Sequence, residues 1–180
     1  HRPLAEHLGV GLAIDHPDHL QYITDVSEYP LSGDELIDVA LENLRRATKG
    51  GFRKMETGLW AGEWGDDFAP ERLLLPDLFS HFPAGFIVFL PGADRIFVVD
   101  PGVPTALTEA LRQVDERLNR ARGLVPFAVR REGGQWSVVD DANFPVLGER
   151  LTAYLAPYYE AQREAYMAAR DRDGDAERPW

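Results

Sequence analysis

The sequence predicts an α+β domain: a mainly antiparallel sheet built from successive hairpins, with helices packed on it. Three observations predict it. Between Gly85 and Asp100, two apolar runs, Phe86 to Leu90 and Ile96 to Val99, are separated by Pro91, Gly92 and Asp94, the pattern of a β-hairpin. A second pair of short apolar arms flanks Gly133-Gly134. Stretches with helical spacing lie between these hairpins, where they can cover the sheet.

The elements follow in chain order. His1 to Gly9 reads as a fragment of a preceding helix or a loose lead-in. Val10 to Asp15 and Leu20 to Val26 read as strands on either side of His16-Pro17-Asp18-His19, a turn by composition. Ser32 and Glu35 then have capping-box spacing, and Asp34 and Glu35 place negative charge where a helix N-terminus favours it. Leu36, Ile37, Ala40, Leu41, Leu44 and Ala47 continue at spacings of three and four until Gly50-Gly51, so a helix is expected from Asp34 to Thr48.

Phe52 to Trp64 is ambiguous, with an irregular strand expected near Thr57 to Trp64 and weakened by Gly58 and Gly62. Asp66 or Asp67 is expected to cap the next helix, which places Leu74, Leu78 and Phe82 on one face and is kinked or divided by Pro76. The hairpin at 85–100 has no polar alternation, which predicts central strands covered on both faces. From Thr105, Leu107, Leu111, Val114, Leu118 and Ala121 form one helical stripe that ends at Gly123. Phe127 and Val129, then Trp136 and Val138, alternate on the arms of the second hairpin. The last helix is expected from about Val146 to Arg170, with Leu147, Leu151, Tyr154, Leu155 and Tyr158 on a face and a bend at Pro157. The expected organisation is one domain over residues 1–170 and a charged, frayed tail over 171–180.

Composition narrows the function classes. The 180 residues carry a net charge of −11, which disfavours nucleic acid and anionic membrane surfaces as partners. There is no cysteine, hence no disulfide, thiol nucleophile or cysteine-ligated metal site. No apolar run reaches the roughly 18 residues of a membrane-spanning helix, and the default expectation is a cytoplasmic protein. The chain starts at His1 rather than Met, so its start is silent about any leader. No cofactor is expected: phosphate-binding glycine loops, HExxH and GxSxG are all absent from the sequence. A serine nucleophile would need Ser80 beside His81, adjacent helix positions that point apart.

Four groups can carry chemistry. Asp15, His16, Asp18 and His19 place two imidazoles and two carboxylates within five residues, enough to suggest a divalent metal or a general base, while the same composition also suits a solvated turn. Trp60, Glu63, Trp64, Asp66 and Asp67 combine aromatic anchors with acids that can bind Arg or Lys of a partner; the competing reading puts both indoles in the core and uses the acids as caps. Asp171, Asp173 and Asp175 alternate like the start of a calcium loop, but Gly174 is misplaced for an EF-hand. Tyr154, Tyr158, Tyr159 and Tyr166 form an aromatic stripe that suits packing with wet hydroxyls better than ligand binding.

The stretch LAIDHPDHLQYITDV, the helix ELIDVALENLRRAT and the run RLLLPDLFSHF before a strand hairpin together resemble the YtpQ-like family of bacterial proteins. The resemblance covers roughly Val10 to Asp100 and rests on element order, the run Ala40 to Leu44 and the leucines at Leu73 to Leu75. That family tends to carry a small hydroxyl residue before the arginine of its second helix, and here Glu71 precedes Arg72. The resemblance implies a fold and supplies no activity. The expectation is a non-enzymatic protein-binding or regulatory module, of immunity or antitoxin type, whose acidic surface engages a basic protein. The alternative is a metal-assisted hydrolase built on Asp15, His16, Asp18 and His19.

Overall fold

The computed structural model describes residues 2–16, 18–118, 124–140 and 142–172. Two compact units make up the chain, His1–Val139 and Asp140–Trp180. The fold is α+β, as its hairpins and interposed helices predict.

The first unit contains a six-stranded antiparallel sheet. Its strands are β5 (Phe52–Lys54), β6 (Trp60–Gly62), β7 (Ile87–Gly92), β8 (Arg95–Val99), β9 (Ala128–Glu132) and β10 (Gln135–Val138), in the spatial order β10-β9-β7-β8-β6-β5. The central hairpin β7–β8 is thus flanked on both sides, and every residue of β7 is buried. Of β8 only Arg95 reaches solvent in part. Strands apolar on both faces belong in the middle of a covered sheet, which is where this pair lies.

Register divides the side chains between two faces. Val138, Val129, Val88, Val98, Trp60 and Lys54 are successive cross-strand partners and so share one face. That row runs from a buried valine core to an aromatic margin, where Phe52, Trp60, Phe79, Phe82, Phe86 and Trp136 meet at centroid distances of 5.1–6.3 Å. Ile87, Phe89, Phe97 and Val99 take the opposite face and are equally buried. Helix α2 (Pro104–Leu118) lies against β7 and β8. Its fully buried positions are Ala106, Ala110 and Val114, small side chains that bring the helix close to the sheet, while Leu107 and Leu111 are half-buried beside them. The expected end of this helix, Ala121 and Gly123, lies outside the described residues.

Helix α1 (Gly33–Ala47) is the element most fully specified by sequence. Ser32 Oγ accepts from the Glu35 backbone N–H while the Glu35 carboxylate accepts from the Ser32 N–H, so two otherwise orphaned donors are satisfied.

Several expectations are corrected. The first residues are neither helix nor lead-in: β1 (Arg2–Ala5) pairs with β2 (Leu8–Val10) around His7 at φ 63°, a left-handed corner without glycine. The next hairpin is shorter than predicted, β3 (Ala13–Asp15) and β4 (Leu20–Tyr22), because Val10 is spent in the preceding hairpin and Val26 in a 3-10 turn. Phe52 to Trp64 holds two short strands in place of one irregular strand. The segment after Asp66 is not an α-helix. Pro70–Leu74 and Pro76–Phe79 are separate 3-10 turns, divided where Pro76 supplies no N–H, and neither is capped by a side chain. Its buried residues are accordingly Arg72, Leu73, Leu75 and Phe79, not the predicted face of Leu74, Leu78 and Phe82. The second hairpin turns at Gly133 and Gly134, at φ 56° and 87°, as its sequence requires.

The second unit is dominated by α3 (Pro145–Arg172), which continues through Pro157. Asp173 and Asp175, with Gly174 and most of the expected tail, lie outside the described residues.

Candidate functional site

The segment from Trp60 to Asp67 folds around one buried charge. Arg72, on the first 3-10 turn, is fully buried, and it is the one charged side chain in that state among the described residues. Its Nη1 and Nη2 donate to the two carboxylate oxygens of Asp66 at 2.8 and 2.7 Å. Nη1 also donates to the Phe68 carbonyl at 2.7 Å, and Nε donates to Thr48 Oγ1 at 3.0 Å. Thr48, the C-cap of α1, donates its own hydroxyl hydrogen bond to the Leu44 carbonyl. The guanidinium lies 4.3 Å from the centroid of the Trp64 ring. A buried arginine is tolerated only when its donors are satisfied, and here a fork, two further acceptors and an aromatic face do so together.

The side chains expected to form a partner patch therefore divide. Trp64 and Asp66 are committed to Arg72. Trp60 joins the aromatic margin, edge-on to Phe82 at 5.4 Å and with Lys54 Nζ 5.4 Å from its ring. Glu63 and Asp67 are exposed. Asp66 caps no helix, although its Oδ1 accepts the Phe68 N–H at 3.1 Å. The Arg72 fork holds the Asp66 carboxyl below its ordinary range, against a smaller opposing effect of burial.

Next to this node, Glu63, Gly65, Asp66, Asp67, Asp94 and Arg95 line an open cleft of about 220 Å³. Arginines answer Glu63, Asp66 and Asp94 in turn. Arg95 pairs with Glu63 at 2.9 Å, and Arg117 of α2 chelates both oxygens of Asp94 at 2.7 Å. Burial works to raise the Asp94 carboxyl, but the Arg117 pair outweighs it and the net direction is down. The cleft is acidic in outline and largely neutralised from within.

At the β3–β4 turn, His16 and His19 stack with centroids 4.6 Å apart. His16 Nε2 is 3.1 Å from Gln21 Oε1, and His19 Nδ1 is 2.8 Å from Asp18 Oδ1. The rings thus face each other and nearby polar side chains rather than a shared point. Among the described residues, no group of three or more His, Asp or Glu side chains is arranged to hold a metal ion, the set His16, Asp18 and His19 included.

On α3, Tyr158, Tyr159 and Tyr166 are exposed, and the Tyr154 ring lies 5.5 Å from that of Tyr158. Its hydrogen bond with Tyr158, with some burial, moves the Tyr154 hydroxyl pKa upward.

What residue-by-residue motif reading missed is a charge boundary. Residues 3–44 contain nine carboxylates and no Lys or Arg, and thus hold −9 of the formal −11. All nine are exposed. Directly after them, Arg45, Arg46, Lys49, Arg53 and Lys54 gather without an intervening acid. A running sum of charge along the sequence would have located this boundary.

No family model, curated protein or solved structure matches the chain. No described helix is long and apolar enough to cross a membrane.

Proposed function

We propose that the chain is a non-enzymatic protein-binding module whose acidic surface engages a basic protein, in the manner of an immunity-type or antitoxin-like inhibitor. The observation that carries this reading is the segregation of charge: nine exposed carboxylates across residues 3–44 with no cation among them. One-signed surface charge speeds encounter with a complementary partner and rejects like-charged ones. Most of these carboxylates also lack the arginine partners that neutralise the cleft at Glu63 and Asp94. We further propose kinship with the YtpQ-like family, supported by the order hairpin, α1, leucine-rich turn, hairpin and by the runs Ala40 to Leu44 and Leu73 to Leu75.

The test is affinity capture from the native host at low and high salt, with the wild-type chain and with Asp15→Asn/Asp38→Asn/Glu42→Gln. The wild type should retain a basic protein that high salt releases and the variant fails to hold. Absence of any retained protein at either salt, or equal retention by the variant, would overturn the reading.

A further inference from the structure

The β3–β4 hairpin is a two-stranded sheet of its own. Its register, Ala13↔Tyr22, Ile14↔Gln21 and Asp15↔Leu20, sorts the side chains into two faces. Directly paired residues point to the same side, so Ile14 and Gln21 form one face and Ala13, Asp15, Leu20 and Tyr22 the other. Ile14 is half-buried and Gln21 exposed, so the first face is the more sheltered of the two. All four residues of the second face are exposed, Leu20 at 43% and Tyr22 at 69%. A pair of strands alone is at best marginally stable in water, and this one leaves its two largest apolar side chains uncovered. The twenty residues that follow expose three more large apolar side chains, Val26, Leu31 and Val39. Every one of these lies inside the stretch that has nine acids and no cation.

We propose that the outer face of this hairpin docks a cationic amphipathic segment of another protein. The segment's apolar side chains cover Leu20 and Tyr22, and its Lys or Arg side chains meet Asp15 and the neighbouring Asp18, Asp25 and Glu28. The inference rests on the reading that the partner is basic, and adds the surface and its apolar component. Charge selects the occupant. A second copy would set one anionic face against another, and an anionic lipid surface would be repelled in the same way. A purely polar cation would leave the apolar face wet.

The test titrates labelled synthetic peptides into the full chain by fluorescence anisotropy. One is a Leu–Lys amphipathic helix, one a Lys–Gly–Ser peptide of equal charge, and one a Leu–Glu amphipathic helix. The Leu–Lys peptide should bind, more weakly as salt rises. Leu20→Ser/Tyr22→Ser should weaken it by about tenfold or more, since it removes the two large side chains that the peptide's apolar face covers. Tyr158→Ser/Tyr159→Ser on α3, which removes comparably exposed rings, should leave binding unchanged. Tyr22→Ser alone, expected to lose part of the affinity, serves if the double variant does not fold. Equal binding of the Leu–Lys and Lys–Gly–Ser peptides, indifferent to Leu20 and Tyr22, overturns the dock and leaves the basic-partner reading standing. Binding of no cationic peptide overturns both. Preference for the Leu–Glu peptide, for anionic vesicles, or self-association abolished by Leu20→Ser/Tyr22→Ser also overturns the dock, the last by assigning the face to a second copy.

Discussion

Asp66 holds Arg72 by both carboxylate oxygens, at 2.8 and 2.7 Å, and that one fork ties the loop after β6 to the turn that follows it. Through Nε and Thr48 the same guanidinium also reaches the C-terminus of α1. A lysine cannot reproduce this, because its ammonium is a point charge without the planar fork or the flat face that Trp64 covers. Arg72→Lys should therefore lower stability by about 3 kcal/mol, the scale for breaking a buried pair. Urea unfolding would show the midpoint falling while the slope stays constant. An unchanged midpoint would mean that the node contributes nothing.

The same pair sets a pH dependence. The Asp66 carboxyl is depressed from its ordinary value of 3.8, chiefly by the Arg72 hydrogen bonds. A depressed folded-state pKa means that the stabilisation is complete above the unfolded value and is lost as pH falls through the folded one. The difference in unfolding free energy between wild type and Asp66→Asn should thus be constant near neutrality and shrink below pH 3.8. A difference that stays constant through the acid range would remove Asp66 from the acid response.

Gly62 is fixed by packing rather than by backbone angle. A Cβ there would come within 2.8 Å of Phe52 Cε1 and Trp64 Cζ3, and closer still to Trp64 Cη2. Trp64 cannot step aside freely, since its ring is stacked on Arg72. Gly62→Ala should cost about 1–3 kcal/mol, the range for overpacking a filled site. Thermal melts check this, and near-UV circular dichroism should show a perturbed tryptophan signal. A neutral result would show that the aromatic margin yields.

The parts of the fold that were legible in the sequence are those where one strong local rule acts alone. The unbroken apolar runs around Phe89 and Phe97 admit only a covered central hairpin, and Ser32 with Glu35 admits little but a helix start. The misreadings fall where two rules compete. At Pro70 to Phe79 the leucine spacing suggests an α-helix, but two prolines six residues apart remove the backbone donors an α-helix would need, and 3-10 turns result. At Arg2 to Val10 the strands are too short to show a period, and the turn uses His7 where a composition rule looks for glycine. The Arg72 node was invisible for a different reason. An arginine reads as surface unless its partners are known, and Thr48, Trp64, Asp66 and Phe68 are assembled only by the fold. Trp64 and Asp66 stand close together in the sequence as part of an expected partner patch, and the fold brings both to the cation between them.

Trp136 offers the sharpest test of how the 3-10 segment is fastened to the sheet. On β10 its indole N–H donates 3.0 Å to the Leu73 carbonyl, and its ring stands edge-on to Phe79 and Phe86 at 5.3 and 6.2 Å. The side chain is buried, so the carbonyl it serves is shielded from replacement by water. Trp136→Phe keeps an aromatic ring but leaves that acceptor unpaired, and should cost about 1–3 kcal/mol from the lost bond, with a further loss for the smaller ring. Trp60→Phe is the matched control: Trp60 is half-exposed, and the contact it loses is with Lys54, also at the surface, so its cost should be smaller. Hydrogen exchange localises the effect. In Trp136→Phe the amides of Leu75 and Ser80, which hold the two 3-10 turns closed, should exchange faster, while that of Val88 in the central strand should follow only the global loss of stability. Equal costs for the two substitutions, or no local acceleration at Leu75 and Ser80, would show that the turns are held by the Arg72 node alone.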